Sequence, residues 1–229
     1  MTPSTRNHPE IKICGLTKID QAKAAADMGA DAIGFVFFKK SPRNLEPETA
    51  RLIAKELPSH VARVGVFVNE AFETIMAHVA HVGLSAVQLH GQESPILVKE
   101  LLEQNLTVIK GFYMEQEPLL SDAPRYKASA ALVECKKGVL PGGNAMTWNW
   151  GAAKEFGESH PLILAGGLAP DNVEEAILKA DPDAVDVSSG VESAPGEKDI
   201  LKIKLFIERV KNIRGERLPD RRILRRIFS

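Results

Sequence analysis

Cysteine is nearly absent from this 229-residue chain. There are two, Cys14 and Cys135, neither in a Cys-x-x-Cys pair nor at a Cys/His metal spacing. Two thiols do not make a disulfide framework, and a reduced cytoplasmic compartment is expected. Net charge is equally scarce: the formal balance of −1 gives no overall pull toward nucleic acid or a membrane surface. No apolar run approaches the length of a membrane span. The polar stretch 1–9 has no apolar core of a signal peptide. No composition break marks a second domain. The expectation is therefore no nucleic-acid or membrane partner and no Cys/His metal site, and the chain is expected to act on a small-molecule substrate as a monomer or homodimer.

What charge there is sits unevenly. Residues 212–229 carry six arginines against Glu216 and Asp220, a balance of +4, which leaves −5 on the remainder. This basic extension also has Leu218, Ile223, Leu224, Ile227 and Phe228 at roughly helical spacing. It reads as a frayed or surface-docked terminus, with a helix packed on a partner subunit or an acidic surface as the alternative.

With 44% hydrophobic residues, the body can bury a full core. Its pattern alternates strand and helix. Eight short β-branched runs, apolar on both faces, read as parallel strands covered by helices: 10–14, 31–37, 62–68, 85–89, 106–112, 129–134, 161–165 and 184–187. Helical patterns lie between them: 18–28 closed by Gly29, 46–57 with Pro47 in its first turn, 70–82 closed by Gly83, 94–104 capped by Ser94, a Pro-interrupted 116–127, 148–156 closed by Gly157, 170–180, and 199–211. Eight such repeats over 10–211 favour a closed (β/α)8 barrel of usual size over an open sheet.

In that fold chemistry gathers at the C-terminal ends of the strands. Cys14 ends the first strand and is a candidate base or nucleophile, though most free cysteines are buried hydrophobes. Lys12 is assigned to the opposite face of that strand and left out of the site. Asp186 lies inside the eighth strand, where a carboxylate is costly unless paired. Ser188, Ser189 and Gly190 follow it, and Gly166 and Gly167 follow the seventh strand. Two adjacent glycine-rich loops there are the usual phosphate cradle of the fold. Arg43, on the loop after strand 2, is either a solvated loop cation or a bidentate carboxylate anchor. His90 ends strand 4 and is either structural or a substrate contact. Glu134 ends strand 6; over the barrel mouth, with its pKa raised by desolvation, it would be a general acid. The loop 135–147, with Gly142-Gly143, is long enough for a lid.

Together the strings KICGLT (12–17), GADAIGFVF (29–37), SPR (41–43), VGVFVN (64–69), VQLHG (87–91), PGG (141–143), Trp148-Asn149-Trp150, LAGGL (164–168), DVSSGVE (186–192) and the Gly-x-Lys-Asp of 196–199 resemble the phosphoribosylanthranilate isomerase family from about Ile11 to about Lys211. The resemblance implies a cofactor-free Amadori rearrangement in tryptophan biosynthesis. An acid opens the ribose ring of N-(5′-phosphoribosyl)anthranilate to an iminium ion, and a base removes the C2′ proton. It puts the base on Cys14 and the anthranilate carboxylate on Arg43. The phosphate falls on Gly166, Gly167, Ser188, Ser189 and Gly190.

Two departures stand out. The family keeps an aspartate where this chain has Glu134, and usually Gly-Gly-Thr/Ser-Gly where it reads Gly-Gly-Asn144-Ala145. They motivate one alternative, an impaired barrel retained as a binding or interaction protein; an isomerase of another ribose phosphate is a second, which a carboxylate anchor at Arg43 argues against.

Overall fold

The β-branched runs form eight strands: β1 (Glu10–Cys14), β2 (Ala32–Phe37), β3 (Ala62–Phe67), β4 (Ala86–Leu89), β5 (Thr107–Tyr113), β6 (Ala130–Glu134), β7 (Leu162–Leu164) and β8 (Ala184–Val187). In the computed structural model, which describes residues 7–135, 147–213 and 224–228, they make a closed parallel barrel in chain order. Closure is the β1–β8 pairing, in which Lys12 stands opposite Asp186. The outer layer is α1 (Ile19–Met28), α2 (Pro47–Lys55), α3 (Phe72–Val82), α4 (Pro95–Leu102), α5 (Ala123–Tyr126), α6 (Lys154–Ser159), α7 (Val173–Ala180) and α8 (Ile200–Lys211). Among the described residues no helix is long and apolar enough to cross a membrane.

Two apolar layers follow from strand alternation. Outward residues such as Ile11, Ile13, Ile33, Phe35 and Val87 pack under the helices. The barrel interior is narrow and filled by small or branched residues: Ala32, Ala62, Val64, Ala86, Ile109, Ala130, Leu132, Ile163 and Ala184.

Predicted stop signals mostly act as expected. Gly29 and Gly83 close α1 and α3 in left-handed conformations, and the Ser94 side chain accepts from the Leu97 amide to start α4. The predicted helix 148–156 needs correction. It begins as a 3-10 turn at Trp150 and continues through Gly157 to Ser159. The Trp148 and Trp150 indoles donate to Ala165 O and Gly166 O, which anchors the start of this segment to the β7 loop. The stop is set by Pro161, because the residue before a proline is driven out of the helical region, and His160 is extended. The segment 116–127 is only a 3-10 turn at Leu120–Asp122 leading into α5. A short hairpin, β9 (Glu192–Ala194) with β10 (Glu197–Lys198), follows β8 and was not expected.

In the terminal extension, Leu224 to Phe228 are not helical. Ile227 is buried within the barrel-interior cluster and Phe228 packs against it. Leu218 and Ile223 lie outside the described residues, as do Gly142, Gly143, Asn144 and Ala145.

Candidate active site

Six predicted residues line one cleft of about 480 Å³, open to solvent: Cys14, Arg43, His90, Glu134, Asp186 and Ser188. Val36, Phe38, Val66 and Val68 form an apolar wall.

The floor rests on strand pairing. Residues i and i+2 of a strand share a face, so Lys12 lies on the same side of β1 as Cys14, contrary to its assignment above. It is fully buried, and its Nζ is 2.8 Å from Asp186 Oδ1. This pair answers the cost of an aspartate inside β8. Gly34, opposite Cys14 in the register, makes the room: a Cβ there would lie 2.7 Å from Cys14 Sγ and 3.2 Å from Lys12 Nζ. The glycine of GADAIGFVF is thus part of the site's shape.

Burial sets the electrostatics. It pushes the Cys14 thiol up, against the pull of Lys12; Asp186 adds to the rise and Lys198 opposes it. Burial also works against a charged Lys12, but the Asp186 carboxylate and the thiol outweigh it and hold the ammonium above its ordinary range. Glu134 is pushed up to about 7, first by desolvation and then by Asp186, with Lys12 opposing. A carboxyl poised there can give or take a proton near neutrality.

His90 Nε2 stands 3.8 Å from Glu134 Oε2. Its Nδ1 is 3.2 Å from Gln88 Nε2; with Gln88 donating, the ring proton sits on Nε2, toward the carboxyl. Gly111 leaves space for the ring, since a Cβ would approach Nδ1 to 2.9 Å. Beneath the loop lies a second buried cation. Lys110 Nζ pairs with Glu93 at 3.3 Å and donates to Gly91 O at 3.0 Å. Glu93 in turn accepts from the Gly91 and Asn69 amides.

Arg43 is buried, not solvated. Its Nε and Nη2 bond both oxygens of Glu192 at 2.7 Å, and Glu192 also takes Lys198 Nζ at 2.7 Å. Lys198 reaches on to Ser188 O at 2.9 Å. Burial disfavours the Glu192 carboxylate, but the two cations hold its pKa below the ordinary range. Burial draws Lys198 downward. Glu192 and Lys198, both within strings quoted above, were missed as functional residues; the chain separation of 149 residues between Arg43 and Glu192 left no local signal.

Gly166, Gly167, Ser189 and Gly190 do not line the cleft. They form two touching loops beside it. Gly166 and Gly167 are left-handed, with φ of 80° and 70°. At Gly190 a Cβ would sit 1.9 Å from Leu168 O, so only glycine lets the loops meet. Asn172 fixes the β7 loop through Ala169 N and Gly167 O.

Known proteins carry the same pattern. A family model described as N-(5′phosphoribosyl)anthranilate (PRA) isomerase matches residues 11–209. The N-(5′-phosphoribosyl)anthranilate isomerase of Desulfatibacillum aliphaticivorans is 48% identical over 199 residues, 87% of this chain and 91% of that protein. The crystal structure of phosphoribosyl anthranilate isomerase from Thermotoga maritima superposes with a TM-score of 0.83 at 42% identity, covering 90% of this chain and all of that one. A structure of such an isomerase in complex with reduced 1-(o-carboxyphenylamino)-1-deoxyribulose 5-phosphate gives 0.80 at 41%, with 90% and 100% covered. The chain belongs to the N-(5′-phosphoribosyl)anthranilate isomerase family.

Proposed function

We propose that the chain converts N-(5′-phosphoribosyl)anthranilate to 1-(2-carboxyphenylamino)-1-deoxyribulose 5-phosphate, as a cytoplasmic enzyme of tryptophan biosynthesis. One observation carries the assignment of roles. A buried carboxyl whose pKa is about 7 shares a cleft with a thiol that faces a buried ammonium.

Glu134, protonated, gives its proton to the ribose ring oxygen as the C1′–O bond breaks. The anthranilate nitrogen lone pair forms the C1′ iminium, so the substrate supplies its own electron sink. The Cys14 thiolate then removes the C2′ proton, and the C–H electrons pass to the iminium. The enolamine becomes the ketone by protonation at C1′ and loss of the C2′ hydroxyl proton. Lys12 stabilises the thiolate by charge, and Asp186 keeps Lys12 charged. Proton transfer by a positioned side chain contributes about 10²–10⁴-fold.

Arg43 anchors the anthranilate carboxylate, held in place by Glu192 while the apolar wall takes the ring. The loops 166–168 and 188–190 cradle the phosphate through backbone N–H groups. His90 steadies Glu134.

The test is to mix purified protein with freshly prepared substrate and follow anthranilate-type fluorescence. Loss at a rate proportional to protein supports the reading. Fluorescence that decays no faster than without protein, while the substrate still binds, supports the impaired barrel instead.

A further inference from the structure

The end of the barrel opposite the cleft is also occupied. Glu10 begins β1 and Asp183 immediately precedes β8, so both sit at the base of the barrel's closing seam. Both carboxylates are buried, Asp183 completely. The terminal segment 224–228 meets them. Ile227 N and Phe228 N donate to Glu10 Oε2 at 2.7 and 3.1 Å. Arg225 N donates to Asp183 Oδ1 at 2.8 Å. The Arg225 guanidinium gives Nη1 to Gly157 O and His160 O, both at 2.8 Å, and Nη2 to Glu158 O at 2.7 Å. These carbonyls end α6, where a helix leaves such groups without internal partners and a cation is favoured. Between these polar contacts, Ile227 enters the apolar floor formed by inward residues of the strands. The family match stops at residue 209, so the segment 224–228 lies outside what places the chain in its family.

We infer that the barrel base is a binding site for the chain's own C-terminal segment, which plugs the floor in cis and clips β1, β8 and α6 together. Its chemistry is specific: an arginine for Asp183 and the α6 carbonyls, a branched apolar residue for the floor, and two consecutive amides for Glu10. The clip holds the seam whose other end carries the Lys12–Asp186 pair. None of these contacts involves a residue of the cleft, so the clip governs resistance to unfolding and leaves turnover alone.

Amide hydrogen exchange on the full-length protein tests this, together with Ile227→Asp and Ile227→Val. The amides of 225, 227 and 228 are expected to be protected in the wild type, together and independently of protein concentration. Ile227→Asp should release all three and lower Tm by roughly 5 °C or more, with kcat and KM unchanged; Ile227→Val should keep the protection. Wild-type amides exchanging at free-peptide rates would overturn the inference, as would an unchanged Tm in Ile227→Asp. Protection lost on dilution would overturn docking in cis, by placing the segment on a second copy.

Discussion

At the scale of single residues, the proposed chemistry depends on one carboxyl that folding disfavours in its charged form. Glu134 has a folded pKa of about 7 against an ordinary 4.5. A raised carboxyl supports the fold fully below the unfolded pKa and loses that support as pH rises through the folded one. Glu134→Gln removes this loss, so its stability relative to wild type should be higher at pH 8 than at pH 5. The ceiling is on the order of 3 kcal/mol, visible as several degrees in Tm measured at the two pH values. An equal Tm difference at both pH values would mean that Glu134 is not desolvated. Glu134→Asp shortens the reach by one methylene, and a misplacement of that order can lower rate by about 10²-fold. Activity is expected to fall. Cys14→Ser should fold normally and lose about 10²-fold or more in kcat; wild-type turnover in that variant would put the base elsewhere. The place of Cys14 and Glu134 in the cleft was legible because both end strands. The role of Lys12 was equally available, two residues before Cys14, and was missed by a miscounted alternation.

At the scale of elements, strands read almost to the residue, since β-branched runs buried on both faces have few alternatives. Loops and ends did not. The hairpin β9–β10 is too short to show periodicity, and Pro161 outweighed Gly157 as a helix stop. Contacts between elements were least legible. The Arg43–Glu192–Lys198 network and the Lys110–Glu93 pair form only when distant loops meet. The latter clamps the loop that carries His90. Lys110→Met leaves Glu93 buried and unpaired and should destabilise by roughly 3–5 kcal/mol. Adding Glu93→Gln should restore much of that loss in urea denaturation; no recovery would deny the pairing its structural role. For the glycine-rich loops, inorganic phosphate or sulfate should inhibit competitively against substrate. Purely noncompetitive inhibition, or none, would remove the phosphate from 166–168 and 188–190.

At the scale of the whole molecule, one seam serves two purposes. Between β1 and β8, Lys12 and Asp186 carry charge into the cleft, while Glu10 and Asp183 hold the terminal segment at the base. Catalysis and the clip therefore sit at opposite ends of the barrel and should be separable by mutation. The charge imbalance of the extension was visible in sequence, and a surface-docked terminus was one of its readings, but the receptor was not visible, because its carboxylates look like ordinary strand-end residues. The cleft's two proton-transfer groups also predict a pH profile for kcat/KM. In the proposed mechanism the productive form holds a proton on Glu134 and none on Cys14. Below about pH 7 both are protonated and the base is missing; above the raised thiol pKa both are ionised and the acid is missing. Activity should therefore fall on either side of a plateau that begins near 7. The most direct test is kcat/KM against pH for wild type and Glu134→Gln side by side. The expected result is a bell for the wild type with its acid limb near 7, and a loss of about 10²-fold or more in Glu134→Gln at the plateau. A variant that tracks the wild type in both rate and profile would contradict the assignment of Glu134 as the acid.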